Sequence, residues 1–246
     1  MRLFLSVSLV LLLILASWSI AGAAKIIMIS AADPPGAEDQ AVIDHVAALG
    51  FDVESHASGE AQPVDTSGAV AVVIGEALGS SDVADAYKDT TIPVVITETY
   101  VLDDMRLATD GTFNTDDTQT LTIVAPGHPI AGGLTGDVEV STVLSGGVCS
   151  TSDIAGSAEI VAQVKENGHT AIACFEAGAA DMDGNPIPAR RVFVFAYAPM
   201  IPTFTDDAWG LVERSVLWAL DMLSGAAVNP EDAAAVTWGG LKASYR

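Results

Sequence analysis

Lys25-Ile26-Ile27-Met28-Ile29-Ser30 is a short, continuous apolar run rich in β-branched residues. Such a run, without polar alternation, reads as a strand buried on both faces, the kind found inside parallel sheets. After a loop at 31–36, residues 38–49 place Val42, Ile43, Val46 and Leu49 on one helical face, and Gly50 follows as a stop. Residues 51–55 form a weaker second strand. Residues 69–74 are another unbroken apolar strand, 81–88 a short helix with a serine or aspartate start, and 92–97 a fourth strand entered through Pro93. Strand, helix, strand, strand, helix, strand at these lengths predicts an α/β fold built on an open parallel sheet with helices on its faces.

The rhythm changes after Thr97. Residues 102–117 are rich in Asp, Thr and Gly without helical period and read as a loop. Strand-like runs follow at 121–124, 138–143, 159–164, 170–175 and 192–196, joined by turn sequences such as Glu166-Asn167-Gly168, so the second half is expected to add an antiparallel or mixed extension. Residues 206–224 form the last strong helix. Trp209, Val212, Val216 and Leu220 make its apolar face, with Met222 or Leu223 extending it; Thr205 or Asp206 caps its start and Gly225 ends it. The domain is expected to span 24–224, with 225–246 a linker through Asn229-Pro230 and a short tail carrying Trp238, Leu241 and Tyr245.

The 246 residues are 50% apolar and 17% charged, enough to bury a core. Thirty-two acidic against ten basic residues give a net charge of −22, which repels phosphate backbones and excludes nucleic acid as a partner. Aspartate-rich, lysine-poor composition of this kind also suits solvation in salty water. Met1-Arg2, the apolar run 3–16 and Ala21-Gly22-Ala23 have the form of a signal peptide, residues 1–23, with a retained anchor as the alternative. Beyond it no stretch of about eighteen apolar residues occurs, so no membrane association is expected after its removal. A secreted, periplasmic or cell-surface location follows.

Two cysteines, Cys149 and Cys174, are either a disulfide permitted by export or two separate buried thiols. No Cys-x-x-Cys or Cys/His cluster offers a metal centre. Asp33, Glu76, Glu98, Asp103 and Asp104 all fall in loops after parallel strands, which gathers carboxylates at one sheet edge. Close pairs there raise one another's pKa for acid–base work or hold calcium; in so acidic a chain, chance proximity is the competing explanation. Asp181-x-Asp183-Gly184-Asn185 lacks the bidentate glutamate of a calcium loop and reads as a turn. Phosphate loops and Gly-x-Ser-x-Gly are absent, leaving Ser80 as a hydroxyl for a polar ligand and Tyr100 as a stacking face. His128 is either a base or ligand contact, or holds its own loop through a backbone hydrogen bond. His45, His56 and His169 read as structural or exposed.

Taken in order, the strand 25–30, the strand 69–74 running into Gly75-Glu76, the strand 93–97 running into Glu98-Thr99-Tyr100, the loop His128-Pro129-Ile130-Ala131-Gly132-Gly133-Leu134, the strand Arg191-Val192-Phe193-Val194-Phe195 and a tryptophan-bearing last helix resemble the class I glutamine amidotransferase-like superfamily. The similarity is to its ThuA-like, trehalose-utilisation branch of secreted bacterial proteins, over about 25–223. The resemblance implies a flavodoxin-like three-layer sandwich with a site beyond the carboxyl ends of the parallel strands. Glutaminases of that superfamily use a cysteine on a sharp turn after a strand, together with a histidine and a glutamate. Here Thr97-Glu98-Thr99 occupies the turn after the fourth strand, and glutamine hydrolysis by that route is expected to be lost. The expectation is therefore a catalytically degenerate module that binds a small polar molecule, a carbohydrate or a protein. The alternatives are a hydrolase or sugar-modifying enzyme using His128 with strand-end carboxylates, and a structural domain without ligand.

Overall fold

In a computed structural model, which describes residues 23–143 and 147–223, eleven strands join one sheet. Residues 1–22 of the segment read as a signal peptide, Gly225, read as the helix stop, and the tail lie outside the described residues. The first strands are β1 (Lys25–Ser30), β2 (Asp52–Ala57), β3 (Ala69–Ile74) and β4 (Val94–Ile96), all parallel to their neighbours. The chain then makes a long insertion and returns as β11 (Arg191–Val194), parallel to β4. The five parallel strands thus stand in the order β2-β1-β3-β4-β11, the flavodoxin-like order with its reversal between β1 and β3.

The insertion supplies the antiparallel half: β5 (Phe113–Asp116), β6 (Thr120–Ile123), β7 (Gly136–Glu139), β8 (Val148–Thr151), β9 (Glu159–Val164) and β10 (Thr170–Phe175). From β11 the sheet continues β10-β9-β6-β7, and β8 joins β10 at Thr170↔Thr151 while pairing β5. The mixed extension expected of the second half is present. Three of its members depart from the sequence reading, and one of them, Val148–Thr151, has no counterpart in it. Phe113–Asp116 lies within the segment read as loop, because Asn114, Thr115 and Asp116 give it no apolar pattern and its order comes from pairing with Val148–Thr151. The strand expected at 138–143 runs instead through Gly136–Glu139, where Thr120–Ile123 opposes it.

Helices α1 (Ala37–Ala48) and α3 (Asp206–Ala219) cover one face. Val42 and Val46 of α1 and Leu211, Val212 and Val216 of α3 pack on Ile26, Met28, Val73, Val95 and Val194. Thr205 accepts from Ala208 N at 3.1 Å and caps α3, as its sequence position predicts. The helix ends at Ala219 rather than 224, because Asp221 takes a positive φ of 59°. On the other face Ile27, Ile29, Val72, Ile74, Ile96 and Phe193 are covered by Leu78, Val83, Tyr87, Val101, Leu102 and Met105. That third layer is mostly irregular. The helix expected at 81–88 is the single turn α2 (Ser80–Val83), closed off by Ala84 at φ 42°.

Arg191 is buried in this layer. Its guanidinium donates to the carbonyls of Lys88, Thr90, Ile92, Ala189 and Arg190, tying the 88–92 turn to the start of β11. Burial pulls its pKa down to about 10, so it remains a cation at neutral pH. The two cysteines are both free and buried. Cys149 faces the irregular layer and Cys174 the helical layer, so the disulfide alternative is corrected: alternation along strands puts the thiols on opposite sides of the sheet. Among the described residues no helix is long and apolar enough to cross a membrane.

Candidate functional site

Parallel strands deliver their following loops to one edge, and this edge collects three carboxyl groups. Asp39 sits in the first turn of α1, beyond β1, where its Oδ2 accepts from Ala31 N at 3.1 Å. It is buried, which pushes its pKa up. Gly75 follows β3. A side chain there would bring Cβ to 2.6 Å from Asp39 Oδ1 and 2.9 Å from the Ile29 carbonyl, so glycine is what permits Asp39 to approach.

Glu76 comes next. Its Oε2 accepts from Ala198 N at 2.7 Å, and its Oε1 accepts the Cys149 thiol at 3.8 Å. Burial, aided by the Asp39 charge, lifts its pKa to about 7. Glu98 follows β4 and caps the 3-10 turn Thr99–Val101, its Oε1 accepting from Tyr100 N at 2.7 Å. It is 6% exposed, and burial with the Glu76 charge lifts it to about 7 as well. Two carboxyls that feel each other's charge titrate as a pair, one protonating at the expense of the other near neutrality.

Cys149 reaches this edge from β8. Burial and the carboxylates hold its thiol pKa well above the ordinary value, so it stays protonated and serves as a donor to Glu76. A thiol in that state is not an activated nucleophile. Tyr197, just after β11, has its phenol pushed up by partial burial and by the Glu76 charge. Tyr100 is 57% exposed and meets Phe113 edge-on at 5.2 Å. The arrangement presents hydrogen-bonding carboxyls beside aromatic groups.

Of the residues singled out from sequence, Glu76, Glu98 and Tyr100 come together. Ser80 opens α2 farther along the same loop and is not hydrogen-bonded to them. Asp33 is exposed, and Asp103 and Asp104 belong to the segment covering the irregular face; burial and neighbouring carboxylates raise Asp104. Among the described residues no group of three or more His, Cys, Asp or Glu side chains is arranged to hold a metal ion. Asp181 accepts from the backbone N–H groups of Asp183 and Asn185, which is a turn.

His128 lies elsewhere, a correction to any site combining it with Glu76 and Glu98. Its Nδ1 accepts from Ile130 N at 3.2 Å and caps the turn Pro129–Ala131, so it holds its own loop. Arg214 Nε donates to Ile130 O at 2.7 Å, and its guanidinium fills the space a side chain at Gly132 would need. The ring borders a cavity of about 430 Å³ with Glu159, Glu176, Arg190 and Trp218. Glu176 and Arg190 flank the pairing of Phe175 with Arg191, and Arg191 is registered with Val94 at the start of β4. Glu98 lies beyond the other end of that strand. Burial lowers the His128 pKa, with the nearby glutamates opposing.

Asp39, Cys149 and Tyr197 were not among the sequence-derived candidates for this edge. Tyr197 was within reach, since it follows the strand expected at 192–196. Cys149 carried no such signal, because its place depends on how β8 docks.

The class defined by this geometry is a flavodoxin-like α/β domain with an acidic carboxyl edge and a protonated thiol. Among solved structures the chain is similar to a ThuA-like protein from Parabacteroides merdae ATCC 43184, at 13% identity and a TM-score of 0.48, covering 80% of this chain and 90% of that one. It is also similar to a glutamine amidotransferase from Thermotoga maritima, at 11% identity and a TM-score of 0.48, covering 90% and 93%. No family model matches the chain, and no curated protein matches it.

Proposed function

We propose that this is an exported, catalytically degenerate domain of amidotransferase-like fold that binds a neutral polyhydroxy ligand, a carbohydrate, at Glu76, Glu98, Tyr100 and Tyr197. The observation that carries the reading is the pair of carboxyls with pKa values of about 7, each fixed by a backbone N–H, without an ion-pair partner among the described residues. Such a pair both donates and accepts hydrogen bonds near neutrality, which matches hydroxyl groups, and its negative charge rejects anions. The exposed ring of Tyr100 supplies a stacking surface. The protonated Cys149 supports the absence of thiolate hydrolysis. Export rests on the sequence of residues 1–23.

A panel of neutral mono- and disaccharides tested by thermal shift at pH 6 provides the measurement. A rise in Tm with at least one sugar, lost in Glu76→Gln/Glu98→Gln and reduced in Tyr100→Ala, is expected. No shift with any sugar, or a shift unchanged in the double variant, removes the reading. Glutamine-dependent ammonia release that disappears in Glu98→Ala would replace it with a hydrolase.

A further inference from the structure

The cavity at the opposite, amino edge of the parallel strands is unused by the site above. It is lined by His128, Glu159, Glu176, Arg190, Trp218 and Leu223, and its volume of about 430 Å³ is that of a pocket for a few side chains. Arg190 is held by Glu176 at 2.7 Å, by Asp221 at 2.9 Å and by the Trp218 carbonyl at 2.8 Å, with its guanidinium carbon 4.5 Å over the Trp218 ring. The cavity is therefore preformed, one wall aromatic and the rim carrying carboxylates. Leu223, the last described residue, is itself part of the wall.

We propose that residues 238–246 of this same chain dock in that cavity, with Trp238, Leu241 and Tyr245 against its apolar wall and Lys242 and Arg246 toward Glu159 and Glu176. Three observations converge on this occupant. The chain leaves the described fold at the cavity, and the fifteen residues from Leu223 to Trp238 span up to about 50 Å when extended, far more than a return needs. The segment Trp238-Gly239-Gly240-Leu241-Lys242-Ala243-Ser244-Tyr245-Arg246 carries two cations and no acid in a chain with ten basic against 32 acidic residues. The glutamate rim supplies the opposite charge. A tether of this length also raises the effective concentration to roughly the millimolar range, so a weak intrinsic contact suffices.

Zero-length carbodiimide cross-linking of the full chain, read by peptide mass spectrometry, tests it. Lys242 is expected to join Glu159 or Glu176, at a yield comparable with the internal control Lys165–Asp137, whose ion pair is 2.8 Å. Trp238→Ala, which keeps Lys242, should lose the Lys242 cross-link while the control persists. A Lys242 cross-link spread over other carboxylates, an undiminished yield in Trp238→Ala, or no cross-link while the control forms would overturn the proposal. Mixing isotopically heavy and light chains separates the partners: cross-links of mixed mass place a second copy's segment in the cavity and overturn docking within one chain.

Discussion

Replacing Glu98 by glutamine removes one buried, ionisable carboxyl while leaving an amide oxygen to accept from Tyr100 N. In the folded chain Glu98 titrates at about 7 against 4.5 for the free side chain. Because the folded value is raised, the native state holds its proton more tightly than the unfolded state. Its contribution to stability is complete below pH 4.5 and is lost as pH rises through about 7. At about 1.4 kcal/mol per pH unit over that window, the loss is about 3 kcal/mol. Part of it depends on the Glu76 charge, so Glu76 and Glu98 together cost less than twice that amount above pH 7. Urea unfolding followed by tryptophan fluorescence at pH 4.5 and pH 8 measures the difference between wild type and Glu98→Gln. The difference cancels the general repulsion of an acidic chain, which both share. The variant is expected to match wild type at pH 4.5 and to exceed it by about 3 kcal/mol at pH 8. An equal gap at both pH values would refute the assignment of a raised carboxyl to Glu98.

Arg191→Met removes the guanidinium donor from five backbone carbonyls, of which, among the described residues, only that of Arg190 keeps a second donor, Val94 N, and a loss of at least about 3 kcal/mol is expected in urea unfolding at pH 7; a loss below about 1 kcal/mol would mean that solvent satisfies the turn. Cys149 and Cys174, both buried with raised pKa values, should resist iodoacetamide at pH 8 in the folded protein and react fully in denaturant, with no disulfide-linked peptide in a non-reducing map.

The continuous apolar runs at 25–30, 69–74 and 93–97 were enough to establish the parallel core, because only strands buried on both faces dispense with alternation. They also placed Glu76 and Glu98 at the same edge, since every parallel strand ends on that side. Residues whose neighbours come from distant parts of the chain were not legible in this way. Phe113–Asp116 is a strand only because Val148–Thr151 lies beside it, and Cys149 meets Glu76 only because that pair of strands docks against β10. His128 belongs to the amino edge because three successive antiparallel pairings, β11 with β10, β10 with β9 and β9 with β6, make β6 run against the parallel strands, so the loop that follows it leaves where they begin. Local pattern encodes which segments are strands and which way the parallel ones point. Pairing across the long insertion between β4 and β11 is a tertiary choice, and it determined which side chains share a site.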